Sequence, residues 1–408
     1  MSPVPYCTKY SSAGTQKIHG IHSHQPCQPG DHRRFVPATL GGDMDDRIRE
    51  HARILVDWSA RIDAGDDVVV AVEDGAHDLA VAVAEQLGDR GANLLSTYQS
   101  DELTRAYLQA HDGSFTENPD YELALYERAD SVLFLKGSRN TTETADVDSD
   151  QRQAYSTARQ EIREARLDTD WVSTQHPTRA MAQQAGMAYA EYKDFVYDAT
   201  LRDWEALADE QARLKEILDD GSEVRIVADG TDITLFIDGR IAVNSAASVA
   251  YDSHNLPSGE VFTAPHDTAG VVTFDVPMTI QGRRVKNVEL TFKDGVVVDW
   301  SAEQGEAVID EIIGTDSGSR QLGELGIGMN RGVDRVTDNI LFDEKMGGTV
   351  HLALGRAYDA CLPEGESGND SAVHEDLITT MGEGSRLEVD GETIQRDGVF
   401  RWEDGFEG

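Results

Sequence analysis

Positive charge is scarce in this sequence, and arginine carries most of what there is. Acidic residues outnumber basic ones 75 to 36, which gives a formal net charge of −39 over 408 residues. The lysines are Lys9, Lys17, Lys136, Lys193, Lys215, Lys286, Lys293 and Lys345. Surfaces that bind nucleic acid or anionic membranes are basic, so the composition argues against both partners. The acid is dispersed along the chain, which is typical of a cytoplasmic protein in a salt-accumulating halophile, where molar salt screens self-repulsion.

Cysteine and long apolar runs are also lacking. Cys7, Cys27 and Cys361 are the only cysteines, and three of them do not make a disulfide framework. No run of 18 or more apolar residues appears, so the sequence predicts no membrane-spanning helix. The start of the chain lacks the apolar segment of a signal peptide. We therefore expect a reduced, cytoplasmic compartment.

Residues 1–43 do not resemble the rest of the chain. They are net positive, rich in proline, glycine and serine, and without an apolar period. Such a composition predicts a disordered extension. The expectation is that this stretch reflects an upstream start codon and that the natural protein begins at Met44. The remaining length suggests two domains.

Strands and helices alternate in residues 44–220. Val68–Val72 and Ser131–Leu135 are short apolar runs, typical of strands buried on both faces. Apolar residues at helical spacing follow each of these runs. Residues 151–167 and 179–218 are both predicted to be helical. This alternation predicts an α/β N-terminal domain with a parallel sheet. No GxGxxG or Walker motif follows any of these strands, so a nucleotide site has no support.

The spacing of apolar residues along the chain changes near Gly221. Short strands follow, broken by Asp229-Gly230 and Asp238-Gly239, which are both hairpin signals. Thr349–Leu354 reads as a later strand. Residues 221–408 are therefore predicted to form an α+β C-terminal domain with a mainly antiparallel sheet, which carries the metal site.

Potential metal ligands concentrate in this second half. The segment 344–376 brings together two carboxylates and two histidines, the mixture of donors that zinc, cobalt and manganese prefer. Two more glutamates lie upstream, each between a glycine and an apolar residue. The six donors are Glu260, Glu324, Glu344, His351, His374 and Asp376. Six such donors suit two metal ions better than one.

Four segments of the sequence resemble a known family. They are Ser-His-Asn-Leu-Pro-Ser-Gly-Glu-Val-Phe-Thr-Ala-Pro (253–265), Leu-Gly-Glu-Leu-Gly-Ile-Gly-Met-Asn (322–330), Asp-Glu-Lys-Met-Gly-Gly-Thr-Val-His-Leu-Ala-Leu-Gly (343–355) and Ser-Ala-Val-His-Glu-Asp (371–376). In this order and spacing they look like the thermophilic metallo-aminopeptidases, the aminopeptidase T and aminopeptidase S group. The similarity covers Met44 to the C-terminus, and residues 1–43 have no counterpart.

The resemblance implies a two-metal site and assigns its residues. It implies metal ligation by Glu260, Glu324 as the bridging carboxylate, Glu344, His351, His374 and Asp376. Tyr358 matches a tyrosine near the metals. Some relatives place the counterpart of Glu344 closer to the histidine than this chain does. The resemblance also implies a homodimer whose sites face an internal cavity.

The expected function is removal of N-terminal residues from short peptides. Two divalent ions (zinc, cobalt, manganese or magnesium) would activate water and hold the scissile carbonyl, and one could bind the free α-amino group. Glu260 and Glu344 are both candidates for the general base, and Tyr358 for the donor to the oxyanion. His374 and Asp376 share a face only in an extended segment. Gly347-Gly348 is expected to let backbone approach the site.

Two other functions stay open from the residues alone. The first is another two-metal amidohydrolase that acts on a different amine. The second is a non-catalytic, acidic metal-binding scaffold. The mixed histidine and carboxylate set speaks against the scaffold, because calcium sites use oxygen ligands alone.

Overall fold

The computed structural model of the chain describes residues 44–407 apart from Gln281. The disordered extension and the start at Met44 were predicted for residues 1–43, and these predictions lie outside the described residues. The described residues form one compact unit. The predicted boundary between two domains near residue 220 stays a prediction.

The helices and strands alternate in the first half of the chain and give way to strands in the second. The helices are α1 (Asp46–Ile54), α2 (His77–Arg90), α3 (Asp101–Ala110), α4 (Asp120–Tyr126), α5 (Ser149–Thr157), α6 (Gln160–Leu167), α7 (Arg179–Gln184), α8 (Tyr189–Thr200), α9 (Trp204–Asp220), α10 (Glu306–Ile313) and α11 (Ile340–Asp343). The strands are β1 (Asp67–Glu73), β2 (Asn93–Gln99), β3 (Ser131–Lys136), β4 (Asp170–Gln175), β5 (Glu223–Ala228), β6 (Thr231–Phe236), β7 (Val243–Ser245), β8 (Asn255–Leu256), β9 (Glu260–Thr263), β10 (Asp267–Phe274), β11 (Met278–Ile280), β12 (Arg283–Lys293), β13 (Val296–Gln304), β14 (Leu322–Gly328), β15 (Thr349–Gly355), β16 (His374–Thr380), β17 (Arg386–Val389), β18 (Glu392–Arg396) and β19 (Val399–Phe400).

The first sheet is parallel, in the order β2-β1-β3-β4-β8. β1 pairs with β2 on one side and β3 on the other, and β4 pairs with β3, all in parallel. The apolar run Val68–Val72 is buried, as expected for a strand covered by helices on both faces. The predicted α/β architecture with a parallel sheet is confirmed.

Three details of this half were predicted wrongly. Strand β4 was missed because its sequence, Asp-Trp-Val-Ser-Thr-Gln, is polar and lacks a β-branched run. The helical stretch 151–167 is broken at Ala158 and Arg159, which separate α5 from α6. The stretch 179–218 is likewise divided into α7, α8 and α9. Gly186, with φ +67°, and the helix cap Asp203 mark the two interruptions.

The second sheet is antiparallel and extends in the order β11-β12-β10-β6-β5-β17-β18-β19, with β13 beside β12. Asp229-Gly230 joins β5 to β6 as a hairpin, and Gly230 adopts the positive φ of +68° that this turn requires. The second predicted hairpin is wrong. After Asp238-Gly239 the chain leaves the sheet, and β7 pairs with β9 instead of β6.

The third sheet carries most of the predicted metal ligands. Its order is β16-β15-β14-β9-β7, with every neighbour antiparallel. The central strands β14 and β15 are buried along their whole length. Together the second and third sheets confirm the antiparallel character predicted for residues 221–408. Within the described part of the chain, no helix combines the length and apolar character needed to span a membrane.

Candidate metal centre

Four neighbouring strands of the third sheet supply five of the predicted ligands. Glu260 begins β9, Glu324 lies in β14 and His351 in β15. His374 and Asp376 lie at the start of β16, the edge strand. The extended segment predicted for the last pair is therefore confirmed.

The strand register points these side chains to one face of the sheet. Gly326 lies opposite His351, and Glu324, two residues earlier, shares the face of Gly326. Ala353 lies opposite Asp376 and is two residues beyond His351. Since side chains alternate along each strand, residues distant in sequence converge on a single patch.

Glu324 lies at the centre of this patch. Its Oε1 is 3.2 Å from Nε2 of His351, and its Oε2 is 3.4 Å from Nε2 of His374. Oε2 of Glu260 lies 3.6 Å from His351 Nε2, and Oδ1 of Asp376 lies 3.9 Å from His374 Nε2. One ligand atom each from Glu324, His351 and Asp376 lie within 4.8 Å of one another. The carboxylate of Glu324 thus presents one oxygen to each histidine.

The histidine rings are oriented by their surroundings. Nδ1 of His374 donates to the carbonyl oxygen of Arg356 at 2.8 Å, which leaves Nε2 directed at Glu324. His351 is buried beneath the patch. A Cβ added to Gly326 would lie 1.9 Å from Nε2 of His351, so the ring occupies space that only glycine leaves open.

The close approach expected from Gly347-Gly348 is found elsewhere. A Cβ on Gly347 would meet Cδ of Arg331 at 2.7 Å, and one on Gly348 would meet Nη1 of Arg331 at 3.1 Å. These glycines make room for an arginine rather than for the metal patch. The expectation was wrong because it used proximity in sequence, whereas Gly326 reaches His351 across the strand pair.

Glu344 enters from outside the sheet, directly after α11. Its carboxylate pairs with the ammonium of Lys345, which also lies 3.4 Å from Oε1 of Glu260. The Lys345 side chain is 1% exposed. Sequence reasoning missed this lysine, although a lysine between an acidic pair and an apolar residue is a signal in a chain so poor in lysine.

Burial and the neighbouring charges compete in setting the pKa values of the patch. Burial raises the pKa of Glu260, opposed by the nearby ammonium of Lys345. It also raises the pKa of Asp376. For Glu324, hydrogen bonds from the two histidines outweigh burial and lower the pKa to about 2. Burial would lower the pKa of His374, but the Glu324 carboxylate raises it to about 9.

The chemistry of the patch fits divalent ions. Oε2 of Glu260, Nδ1 of His351 and Oδ1 of Asp376 are buried with no hydrogen-bond partner among the described residues. Buried polar atoms are normally paired, so such a group of orphans calls for another partner. Imidazole nitrogen and carboxylate oxygen together suit zinc and similar cations.

A cavity of about 450 Å³ opens onto the patch. Its walls include Leu167, Trp171, Val243, His254, Phe262 and Tyr358, together with Glu260, Glu324, Glu344, His374 and Asp376. The Tyr358 ring lies 4.7 Å from the His374 ring, centroid to centroid. Burial and the carboxylates raise the pKa of the Tyr358 hydroxyl, so it keeps its proton at neutral pH.

Comparison with known proteins agrees with this geometry. The model of the family described as thermophilic metalloprotease (M29) matches residues 44–401. The chain belongs to that family. Membership makes it a metal-dependent aminopeptidase, a hydrolase that uses divalent metal and acts on peptides. The resemblance drawn from the four sequence segments is confirmed.

Several relatives are aminopeptidases by name. Aminopeptidase AmpS of Bacillus subtilis (strain 168) is 26% identical over 408 residues, covering 87% of this chain and 97% of that protein. Aminopeptidase 2 of Geobacillus stearothermophilus is 33% identical over 229 residues, which span 50% of this chain and about half (54%) of that protein. The structure of wild-type AmpT from Thermus thermophilus superposes with a TM-score of 0.76 at 24% identity, covering 87% of this chain and 99% of that one. The M29 chain and AmpT therefore share a fold.

Proposed function

We propose that the chain removes the N-terminal residue of short peptides at a site for two divalent ions. The ligands in this proposal are Glu260, Glu324, Glu344, His351, His374 and Asp376. The observation that carries it is the carboxylate of Glu324, which directs one oxygen toward each of two histidines. A carboxylate between two cations offsets their mutual repulsion, so this arrangement favours a pair of ions over one.

The donor set supports zinc, cobalt or manganese, with magnesium as a further candidate, because imidazole and carboxylate are mixed. When bound, two such ions supply Lewis acidity that polarises the scissile carbonyl and lowers the pKa of a water. The protein's part is to fix the ligands. Arg356 supports this role, since its carbonyl sets the ring of His374.

Tyr358 would act on the substrate directly, and so would whichever of Glu260 and Glu344 is not held by an ion. The Tyr358 hydroxyl keeps its proton and lines the cavity, so it can donate to the oxygen of the scissile carbonyl as negative charge develops there. Glu260 and Glu344 both line the same cavity and are the candidates for moving the proton of the attacking water. Glu260 is the residue we assign first, because its Oε2 is buried with no hydrogen-bond partner among the described residues.

The cavity also suits a peptide with a free amino end. Carboxylates line its inner wall, and a protonated α-amino group is attracted to them. Apolar and aromatic side chains, among them Phe262, Trp171 and Leu167, form part of the remaining wall and suit an apolar residue. The limited volume favours short peptides over folded chains. The family resemblance supports a homodimer, and the acidic composition supports a cytoplasmic protein without nucleic-acid partners.

The test is hydrolysis of leucine p-nitroanilide in molar potassium chloride, before and after chelation, with zinc, cobalt, manganese and magnesium restored in turn. Metal content per subunit is measured on the same samples. We expect two ions per subunit and loss of activity in His351→Ala. His266→Ala is the matched control, because this histidine pairs with Asp238 away from the patch.

Different outcomes separate the alternatives. One ion per subunit in a fully active enzyme would overturn the two-metal site. A folded, metal-loaded protein that cleaves other amides but no leucine amide would indicate the amidohydrolase that acts on a different amine. A metal-loaded protein with no amide hydrolysis at all would indicate the scaffold.

A further inference from the structure

A second cavity lies at the parallel sheet. It has a volume of about 460 Å³ and shares no lining residue with the cavity at the metal patch. Glu73, Gln99 and Ser138 place it at or just beyond the carboxyl ends of β1, β2 and β3. The direction in which successive strands are added to the sheet reverses here, because β2 lies on one side of β1 and β3 on the other. Open α/β sheets bind ligands at such a point.

Arginines from one helix line this cavity. Arg159 precedes α6, and Arg163 and Arg166 follow it at the spacings i+4 and i+7. Residues at these spacings share one face of a helix, where like charges repel and destabilise it. In a chain with a net charge of −39, three arginines aligned on one cavity are an exception to the composition.

Several donors of these arginines are unused. Nε and Nη1 of Arg159 are buried with no hydrogen-bond partner in the described part of the chain, although Nε lies 3.3 Å from Oε2 of Glu122. The guanidinium carbon of Arg159 lies 3.9 Å from the centre of the Tyr155 ring. Nε of Arg166 is likewise buried without a partner there, beside the Phe134 ring. Buried donors without acceptors are costly, and both guanidinium groups border the cavity.

The acidic residues at the rim are engaged with the protein itself. Glu73 accepts a hydrogen bond from the backbone N–H of Gly137 at 2.7 Å. Asp101 accepts one from the hydroxyl of Ser138 at 3.1 Å. Asp74 lies 3.6 Å from the side chain of a neighbouring arginine. Their charges are therefore partly offset within the fold, whereas Arg159 and Arg166 keep donors without a partner in the described part of the chain.

We propose that this cavity binds a small organic anion through a carboxylate or phosphate group. Arg159, Arg163 and Arg166 hold the charged group, since the guanidinium fork matches both anions. Tyr126 and Tyr155 also line the cavity and would pack against the uncharged part of the ligand. The volume suits a ligand of metabolite size, and the absence of a glycine-rich phosphate loop from the sequence argues against a dinucleotide.

Calorimetric titration tests this proposal on the metal-loaded protein in potassium chloride. Inorganic phosphate and succinate are the two probes, each at constant ionic strength. We expect one probe to bind with one molecule per chain and to raise Tm by about 2 °C at saturation. Binding of phosphate alone assigns the ligand to phosphate esters, and binding of succinate alone assigns it to carboxylates.

The variants identify the site. Arg163→Gln is the main variant because its exposed side chain makes folding safe, and it should weaken binding about tenfold or more. Arg159→Lys is the second, which keeps the charge but loses the fork. Arg152→Gln on α5 is the matched control and should bind normally. Leucine amide hydrolysis should be unchanged in Arg163→Gln, so the result does not depend on the proposed function.

Two results would overturn the proposal. The first is no saturable binding of either probe beyond the chloride control. The second is binding of equal affinity in the wild type, Arg163→Gln and Arg159→Lys, which would locate the anion elsewhere, for instance at the metal patch. Retention of binding in His351→Ala would exclude that location and support the arginine site.

Discussion

Lys345 and Glu260 form a buried ion pair beside the metal patch, with the ammonium nitrogen 3.4 Å from the carboxylate oxygen. The same ammonium pairs with Glu344. The ammonium of Lys345 therefore pairs with two of the carboxylates that are proposed to bind the metal ions. The pair links the loop after α11 to the first residue of β9.

Replacing Lys345 with methionine should destabilise the metal-free protein by roughly 3 kcal/mol, because two carboxylates lose their buried partner. Metal loading should restore part of the loss, since divalent ions compensate the same charges. Chemical unfolding with and without metal measures both effects. Lys193→Met, which removes a partly exposed pair with Asp45, is the control and should cost about 1 kcal/mol or less. Equal losses in the two variants would contradict the role of Lys345.

Gly326→Ala should abolish most activity while leaving the fold intact. The new methyl group would lie 1.9 Å from Nε2 of His351, so the ring must move from its position. We expect metal affinity to fall about 10- to 100-fold, as for changes that disturb the orientation of a ligand. Metal content and kcat report the effect. Gly88→Ala, in an open helical position, should leave both unchanged, and normal activity in Gly326→Ala would place His351 outside the site.

Tyr358→Phe tests the proposed donor to the oxyanion. Removal of one such donor typically lowers kcat by about 10²- to 10³-fold. KM and metal content should stay close to those of the wild type, since the ring remains against His374. Steady-state kinetics with leucine p-nitroanilide provide the measurement. Tyr121→Phe, at an exposed position, serves as the control. A loss that appears in metal content instead of kcat would assign Tyr358 a structural role.

Acid should destabilise the fold through two buried histidines. Burial lowers the pKa of His51 to about 3 and that of His176 to about 4. Below the unfolded pKa of about 6.5 the unfolded chain takes up protons that the folded chain refuses. Stability should therefore fall, by about 1.4 kcal/mol per pH unit for each histidine, between pH 6.5 and pH 4.

Denaturant unfolding across that pH range measures the slope. Replacement of His176 by glutamine should reduce the slope of stability against pH by the contribution of one proton, which is about 1.4 kcal/mol per pH unit. Tyr121→Phe removes no group that titrates between pH 4 and pH 6.5 and should leave the slope unchanged. A slope that is the same in all three proteins would show that other groups govern acid sensitivity.

Low salt should weaken the protein because of its net charge of −39. The Debye length rises from about 3 Å at 1 M salt to about 10 Å at 0.1 M, so repulsion between surface carboxylates reaches further. We expect Tm and activity to rise with potassium chloride up to molar concentrations. Full activity and unchanged Tm at 0.1 M would remove the halophilic interpretation.

The sequence predicted much of the fold and the composition of the patch, because both depend on patterns that repeat locally. Val68–Val72 reads as a buried strand without knowledge of its neighbours. His374 and Asp376, two residues apart, require an extended segment whatever surrounds them. Each of these features is decided within a few residues.

What was missed depends on partners distant in sequence. β4 is a polar strand that forms because β3 offers it a free edge. Gly326 matters only because the register of β14 and β15 brings His351 over it. Lys345 becomes important only when the chain folds Glu260 against it. Pairings of this kind are fixed by tertiary structure, and no local period encodes them.

The short strand β8 joins the two chemical regions of the molecule. It pairs with β4 in the parallel sheet, and only Pro257, Ser258 and Gly259 separate it from Glu260. Thr174 of β4 donates its hydroxyl to the carbonyl oxygen of Leu256, and His51 in turn donates to Thr174. Glu260, the first proposed metal ligand along the chain, is therefore connected to the parallel sheet through β8. A displacement of β4, whether it comes from strain or from a bound ligand, would shift the backbone that precedes Glu260. The carboxylate of Glu260 would then move within the metal patch.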